Sequence, residues 1–286
     1  EKNVPKKSRI KFPAYEPWIS NEDKKIVYET LKQNMLTLGP KLEKFESDFC
    51  KYSKAKYAVA VTNCTAALHL SLMALGIGKG DEVIIPDLTF VADANAVLAC
   101  NAKPILTDIN KEDFFLSISN IKKNITKKTK AIIPVHIYGQ VCNIDEILDV
   151  AKDNNLKVIE DCAHAVGTFH KSKHAGTMGS TGCFSFYPTK NITTAEGGMV
   201  ITNSKSIAEK VRQLRSHGMT RSLKSRYSSG YPWVFDILEP GYNYRLDEIR
   251  ASLGISQLRR IKKINELRKK ASTYYNKNLQ DIPGII

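Results

Sequence analysis

The sequence predicts an α/β fold in which helices flank a mainly parallel central sheet. Short apolar runs alternate along the chain with segments whose apolar residues recur at helical spacing, as in repeated strand–helix units. The 286 residues are 42% hydrophobic and 25% charged, which is ordinary for a globular protein. A chain of this length is long enough for one large α/β domain and part of a second.

The N-terminal half begins with two predicted helices, over residues 21–35 and 40–52, where Asn21 with Asp23 and then Pro40 supply helix starts. An apolar run predicts the first strand at 56–61, and a helical pattern follows it at 65–75. The same alternation continues to residue 214. The further predicted strands are 82–85, 104–107, 131–135, 157–160, 184–186 and 199–202, and the further predicted helices are 90–99, 145–153 and 206–214.

The C-terminal part differs from this alternation. Two glycines and two prolines predict a loop over 218–240, and apolar residues from Leu246 to Leu267 then recur at the spacing of one long helix with a basic outer face. We therefore expect residues 1–240 to form a large domain with an N-terminal arm. Residues 241–286 are expected to begin a smaller C-terminal domain.

Charge, cysteines and hydropathy exclude several classes of protein. The formal net charge is +14, but the lysines are dispersed and accompany no nucleic-acid-binding motif, so we expect no nucleic-acid partner. Six cysteines without a Cys-x-x-Cys pair fit neither a zinc site nor a disulfide framework, and no metal is expected. No apolar run approaches the roughly 20 residues of a membrane span, and the basic N-terminus lacks the apolar core of a signal peptide. These patterns predict a cytoplasmic protein without a membrane partner.

Two segments carry the chemistry. Lys190 follows a short apolar strand, lies near Phe184 and Phe186, and precedes Gly197 and Gly198. Burial there would lower the pKa of the lysine, so that it could form a Schiff base with an aldehyde, although a solvated loop lysine is the ordinary alternative. Upstream, Asp161 ends a buried strand. A carboxylate that pairs with a protonated ring nitrogen is the second requirement of pyridoxal phosphate (PLP) chemistry.

Other residues supply the remaining needs of PLP. The strand-to-helix turn at Cys64 and Thr65 offers free backbone N–H groups to a phosphate, and Ser185 could add a hydroxyl. Phe90 could pack on the ring, and His164 could hydrogen-bond the cofactor or cover its face. Taken singly, Thr65 is also a plausible helix cap, Phe90 a core aromatic and His164 a structural histidine.

These motifs together resemble the DegT/StrS family of sugar aminotransferases, which are PLP enzymes with the aspartate-aminotransferase fold (PLP fold type I). The most specific blocks are Glu160-Asp161, Phe184-Ser185-Phe186 and Lys190 with Glu196-Gly197-Gly198. Within the family, some motifs are similar to those of the aminotransferase that forms UDP-4-amino-4-deoxyarabinose and others to those of perosamine synthases. The choice between them stays open.

The resemblance implies a role for each candidate. Lys190 matches the Schiff-base lysine and Asp161 the partner of the pyridine nitrogen, so these two are the expected catalytic residues. Asn243 matches a residue that reaches the phosphate of the neighbouring subunit's cofactor, which implies a homodimer with shared sites. His217 and Arg245 are candidate substrate contacts, with ordinary surface charge as the alternative. The expected cofactor ligands are Cys64, Thr65, Phe90, Asp161, His164, Ser185, Lys190 and Asn243.

Departures from the family pattern are few. The usual Ser-Gly-Thr turn is replaced by Asn63-Cys64-Thr65, and Ala195 stands where many relatives have glycine. The sequence also ends at Ile286, just after the first long helix of the expected small domain, so a truncated chain is expected.

The function that the resemblance implies is PLP-dependent transfer of an amino group from a donor, expected to be glutamate, to a keto group of a nucleotide-linked sugar. The amino sugar would serve polysaccharide or glycan biosynthesis. Two alternatives remain: a PLP-dependent sugar dehydratase, although such relatives replace the lysine with histidine, and a regulatory or scaffold protein that binds PLP without turnover.

Overall fold

The computed structural model describes residues 15–220 and 233–285. Helices and strands alternate through most of this range. The helices are α1 (Asn21–Leu31), α2 (Pro40–Ser53), α3 (Cys64–Ala74), α4 (Ala92–Ala99), α5 (Ile118–Asn124), α6 (Ile144–Asp153), α7 (Lys205–Leu214), α8 (Glu248–Arg259) and α9 (Ile261–Leu279). The strands are β1 (Tyr57–Val61), β2 (Glu82–Pro86), β3 (Lys103–Thr107), β4 (Thr129–Ile132), β5 (Lys157–Asp161), β6 (Phe169–His170), β7 (Lys173–His174), β8 (Thr181–Ser185) and β9 (Gly198–Thr202).

The central sheet has seven strands in the order β1-β9-β8-β5-β4-β2-β3. Neighbouring strands are parallel except that β9 runs antiparallel to both β1 and β8. The predicted α/β fold with a mainly parallel sheet is therefore confirmed. Both faces of the sheet are buried, because alternate residues of β1 enter different cores: Val59 and Val61 lie in one, and Ala58 and Ala60 in the other.

Helix starts follow the local sequence. The Ser20 hydroxyl accepts the backbone N–H of Asp23, whose carboxylate accepts the N–H of Ser20, so that the two residues form a capping box. Pro40 occupies the first turn of α2, where its missing N–H costs nothing. The predicted starts near Asn21 and at Pro40 agree with these caps.

The predicted long helix after Leu246 is wrong, because two helices occupy this stretch. They meet at Arg260, whose φ of −102° and ψ of 2° interrupt the helical path. Its guanidinium forms an ion pair with the buried Asp23 and lies 4.6 Å from the Trp18 ring centroid. Apolar spacing could not reveal this break, since Ile261 and Ile264 are buried on the same pattern.

Other differences are small. The sequence missed helix α5 and the short hairpin β6–β7, both too short to show a clear periodicity. The predicted loop at 218–240 lies partly outside the described residues, and its described ends contain neither helix nor strand. No helix among the described residues is long and apolar enough to cross a membrane. The division at residue 240 stays a prediction.

Candidate active site

The candidate site lies at the carboxyl edge of the parallel strands. Helix α3 begins just after β1, Asp161 ends β5, and Lys190 lies in the loop that connects β8 to β9. The β2–α4 connection adds Phe90 to this edge. Parallel strands place their carboxyl ends together, and ligands of open α/β sheets bind at that edge. The topology thus assembles residues that are far apart in sequence.

Lys190 is half-buried beside two acidic groups. Its backbone N–H donates to Tyr187 O at 2.9 Å, and Arg268 donates to the carbonyl oxygens of Thr189 and Lys190 at 3.3 Å each. Burial lowers the pKa of Lys190, while the nearby Asp161 and Cys64 oppose that shift. The direction of this shift agrees with the prediction from sequence. Phe184, which the sequence placed near Lys190, packs on Phe49 in the core.

Asp161 is 5% exposed and faces a second acid, Asp93. Its Oδ1 accepts the Ala163 N–H at 2.8 Å. Burial raises the pKa of Asp161, and this rise is opposed by the Ala163 hydrogen bond and by the charge of Lys190. Strand β5 therefore ends in a carboxylate with few protein donors.

The preceding residue, Glu160, points to the other face and is fully hydrogen-bonded. Its Oε1 accepts the N–H groups of Met178 and Gly179 at 2.8 and 2.6 Å. Its Oε2 accepts the Gly176 N–H at 2.7 Å and pairs with His136 Nε2 at 2.9 Å. His136 Nδ1 accepts the Cys142 N–H, so the proton of the ring lies on Nε2. Cys162 lies close enough to this pair for the three side chains to share a metal ion. The oxygens of Glu160, however, already accept hydrogen bonds that brace the chain around β5.

The N-terminus of α3 offers an anion site. Asn63 caps the helix by accepting the Ala66 N–H at 2.8 Å, whereas the N–H groups of Cys64 and Thr65 have no acceptor within the described parts of the chain. A Cβ on Gly198 would lie 2.4 Å from the Asn63 carbonyl carbon, so only glycine lets β9 pass this turn. Ser185, at the end of β8, is buried nearby in the sheet, with its Oγ 3.4 Å from the Tyr187 N.

Two rings flank this edge. Phe90 is 75% exposed, which excludes the interpretation as a core aromatic and leaves its face free for a ligand. His164 is half-buried, accepts the Tyr138 backbone N–H on Nδ1 at 3.2 Å, and stacks on the Tyr138 ring at 5.8 Å. Burial and the nearby Lys190 lower the pKa of His164 to about 4. The imidazole is therefore neutral, with its proton on Nε2 available to donate.

Three predicted residues lie outside this cluster, although two of them belong to a segment that runs beside the β1–α3 turn. His217 and Arg245 line an open cavity of about 1010 Å³ between α2 and α7, and no candidate cofactor ligand is among its described lining residues. Asn243 is exposed and forms a short bridge with Ser216. In the same segment Arg245 bridges Val61, and the Thr62 N–H donates to Tyr244 O at 2.9 Å. The structure brings Lys190, Asp161, Cys64 and Asp93 together, and it places the segment of Asn243 and Arg245 next to the turn that precedes Cys64.

The residues present fit PLP by their chemistry. The group needs an anion site, an amine of lowered pKa and a carboxylate for its ring nitrogen, and the free N–H groups of α3, Lys190 and Asp161 supply them. A mainly parallel seven-stranded sheet that carries this set has the fold of PLP-dependent aminotransferases.

The chain belongs to the DegT/DnrJ/EryC1/StrS aminotransferase family, whose sequence pattern matches residues 17–286. A curated relative, the GDP-perosamine synthase of Escherichia coli O157:H7, is 40% identical over 272 residues, which cover 95% of this chain and 72% of the relative.

Solved structures agree with this assignment. PseC of Helicobacter pylori, an aminotransferase involved in the biosynthesis of pseudoaminic acid, is 32% identical with a TM-score of 0.88, over 95% of this chain and 71% of that one. Spr1654 of Streptococcus pneumoniae, a proposed sugar aminotransferase solved in its PMP-form, is 30% identical with a TM-score of 0.89, over 94% and 73%. Relatives in the family bind PLP.

Sequence reasoning missed Asp93, Tyr138 and the pair of His136 with Glu160. Asp93 follows Phe90 by three residues, within the first turn of a helix, where an acid is commonly read as a surface residue that complements the helix dipole. Its position in a largely apolar stretch, Val91-Ala-Asp-Ala-Asn-Ala-Val-Leu98, was the available signal.

Proposed function

We propose that this protein is a PLP-dependent aminotransferase that moves an amino group from a donor, glutamate, to a keto group of a nucleotide-linked sugar. The observation that carries the proposal is the half-buried Lys190 beside the buried Asp161 at the carboxyl edge of the sheet. The presence of lysine at position 190 favours transamination over the dehydratase alternative, for which histidine is expected.

Lys190 acts as the general base and acid. When bound, the cofactor supplies an aldehyde and an electron-withdrawing ring, which stabilises negative charge on a neighbouring carbon. Because burial lowers the pKa of Lys190, a larger fraction of its Nζ is unprotonated near neutral pH than for an ordinary lysine. Nζ can then take a proton from the amino donor and return it in the next step.

The other residues hold and orient the group. The N–H groups of Cys64 and Thr65 and the α3 dipole would bind the phosphate, and the Ser185 hydroxyl, at the end of β8, would add a donor. Asp161 would accept a hydrogen bond from the ring nitrogen and keep that nitrogen protonated. Phe90 would cover one face of the ring, and His164 Nε2 would donate to the phenolic oxygen.

The substrate class and assembly belong to the same proposal. Relatives such as GDP-perosamine synthase support a nucleotide-linked sugar as amino acceptor. The exposed Asn243, and the exposed rings of Phe90 and Tyr138, support a homodimer in which a second chain completes each site. His217 and Arg245 are proposed contacts for substrate. A molar mass of one chain by light scattering would contradict the dimer.

The test is an absorbance spectrum of the protein with PLP, before and after addition of glutamate. Wild type is expected to show a visible band of lysine-bound cofactor that glutamate removes. Lys190→Ala is expected to lose the band and to slow the conversion by about 10²–10⁴-fold or more. Lys152→Ala, which changes an exposed lysine in the last turn of α6, is the matched control and is expected to behave as wild type.

The second half of the reaction is tested by adding keto sugars linked to different nucleotides to the glutamate-treated protein. Return of the visible band with one of them identifies the acceptor. Binding of PLP without any response to glutamate would overturn the aminotransferase proposal and favour a protein that binds the cofactor without turnover.

A further inference from the structure

Asp93 is a fully buried acid in the first turn of α4, with a relative exposure of 0%. Its Oδ2 accepts the hydroxyl of Thr89 at 2.6 Å. Its Oδ1 is buried and has no donor among the described residues. A buried carboxylate oxygen without a donor is costly, so this oxygen must either carry a proton or meet a ligand.

The group that Asp93 faces is the carboxyl of Asp161, within hydrogen-bond reach of its side chain. Cys64 and Cys183 are the other titratable groups near Asp93, and both thiols are buried with a raised pKa. The two buried carboxyl groups of Asp93 and Asp161 cannot both stay charged, because burial and mutual repulsion both favour one shared proton.

The surroundings decide which acid holds the proton. Asp161 accepts the Ala163 N–H and lies near Lys190, both of which favour its charged form. Asp93 has one neutral donor, Thr89, and its pKa is raised well above the ordinary value by burial and by the charge of Asp161. The proton therefore resides on Asp93, and the orphaned Oδ1 is the oxygen that suits it.

We propose that Asp93 is a positioning residue that, as a neutral carboxylic acid, donates a hydrogen bond to the Asp161 carboxylate and holds it anionic for the ring nitrogen of the cofactor. The inference rests on the proposed function for its role in catalysis. The proton on Asp93 itself does not depend on that function, since it follows from the buried pair.

The first test uses the protein without cofactor. In Asp93→Asn, the amide keeps a donor for Asp161 and an acceptor for Thr89 but cannot titrate. Because folded wild type binds the Asp93 proton more tightly than the unfolded chain, its folding equilibrium constant is expected to fall, relative to that of Asp93→Asn, about tenfold per pH unit as pH rises above about 4. Urea titrations at pH 4.5, 5.5 and 6.5 measure this ratio. A ratio independent of pH would mean that Asp93 is charged in the fold, and would overturn the proposal.

The second test separates positioning from folding. Asp93→Leu fills a similar volume without a donor and is expected to lower kcat of the glutamate half-reaction about tenfold with KM nearly unchanged, whereas Asp93→Asn restores it. In an Asp161→Asn background, Asp93→Leu is expected to have no further effect on kcat. An equal loss with Asn and Leu, or full additivity in the double variant, would contradict the hydrogen bond to Asp161.

The two tests keep the proposals distinguishable. If wild type fails to respond to glutamate, the proposed function fails, and the pH profile of the cofactor-free protein still tests the proton on Asp93. If Asp93→Leu does not fold, the profile of Asp93→Asn against wild type decides alone.

Discussion

Glu160 and Asp161 are neighbours on β5, yet the protein treats their two carboxylates in opposite ways. Glu160 faces the buried side of the strand opposite to Asp161, where three backbone N–H groups and His136 occupy its oxygens. Asp161 faces the carboxyl edge of the sheet, where it has the Ala163 N–H and a second acid, Asp93. The alternation of side chains along a strand separates the two environments.

The difference shows how one strand end serves two purposes. A carboxylate with all its acceptor positions filled by the protein is an internal brace and has no capacity left for a ligand. A carboxylate with few donors keeps unused hydrogen-bonding capacity and costs the fold some stability. Glu160 thus holds the chain that positions Asp161, and Asp161 is left available to a bound group.

Replacement of the brace is expected to give the largest loss of stability. In Glu160→Gln, a side-chain NH₂ would face backbone N–H donors that meet a carboxylate oxygen in the wild type. The negative charge of the side chain is also lost. We expect the free energy of unfolding to fall by about 3 kcal/mol. Urea denaturation followed by circular dichroism measures it.

Asp145→Asn is the matched control for that variant. Asp145 also pairs with a histidine, His170, but at the surface, together with Lys171. Little change in stability is expected there because solvent screens exposed pairs. Equal losses of stability in Glu160→Gln and Asp145→Asn would mean that Glu160 stabilises the fold no more than a surface ion pair does.

Asp161→Asn is expected to show the reverse pattern. Burial raises the pKa of Asp161, so the charged form is disfavoured in the fold and its removal should not lower stability at pH 7. The glutamate half-reaction should slow by roughly 10–100-fold, since a charge-assisted hydrogen bond to the cofactor is lost. Stability of the cofactor-free protein and single-turnover rates separate the two effects. A stability loss like that of Glu160→Gln would make Asp161 a second brace.

His164 is expected to give the smallest effect. Its pKa is lowered from 6.5 to about 4, so between these values the unfolded chain binds a proton that the folded chain does not. Stability should therefore be complete above pH 6.5 and decline as pH falls toward 4, and His164→Gln should weaken this decline. Urea midpoints of both proteins at pH 8 and pH 5 test it, with pH 8 as the internal control. Identical pH profiles would mean that the imidazole is not held neutral.

Much of the fold could be predicted because each strand and helix has a local signal. The strand from Lys157 to Asp161 is an apolar run, and Pro40 and Asp23 mark helix starts that the structure contains. The break at Arg260 had no such signal, since the apolar spacing continues through it. It coincides with an ion pair to Asp23, 237 residues away in sequence.

The residues of the candidate site likewise fall into those with a local sequence signal and those without one. Lys190, Asp161 and the α3 start were readable from residue type and spacing, and the structure brings them to one edge of the sheet. His217 and Arg245 could not be placed, because the cavity that they line is formed by α2 and α7 from distant parts of the chain. Their substrate role stays a prediction.

The sequence by itself determined the alternation of strands and helices, the family and the lysine with its aspartate, because these depend on residue type and local spacing. Only the tertiary structure decided which acid is a brace and which is left for a ligand. That distinction depends on the donors that surround Glu160, Asp161 and Asp93, and these come from segments that folding alone brings together.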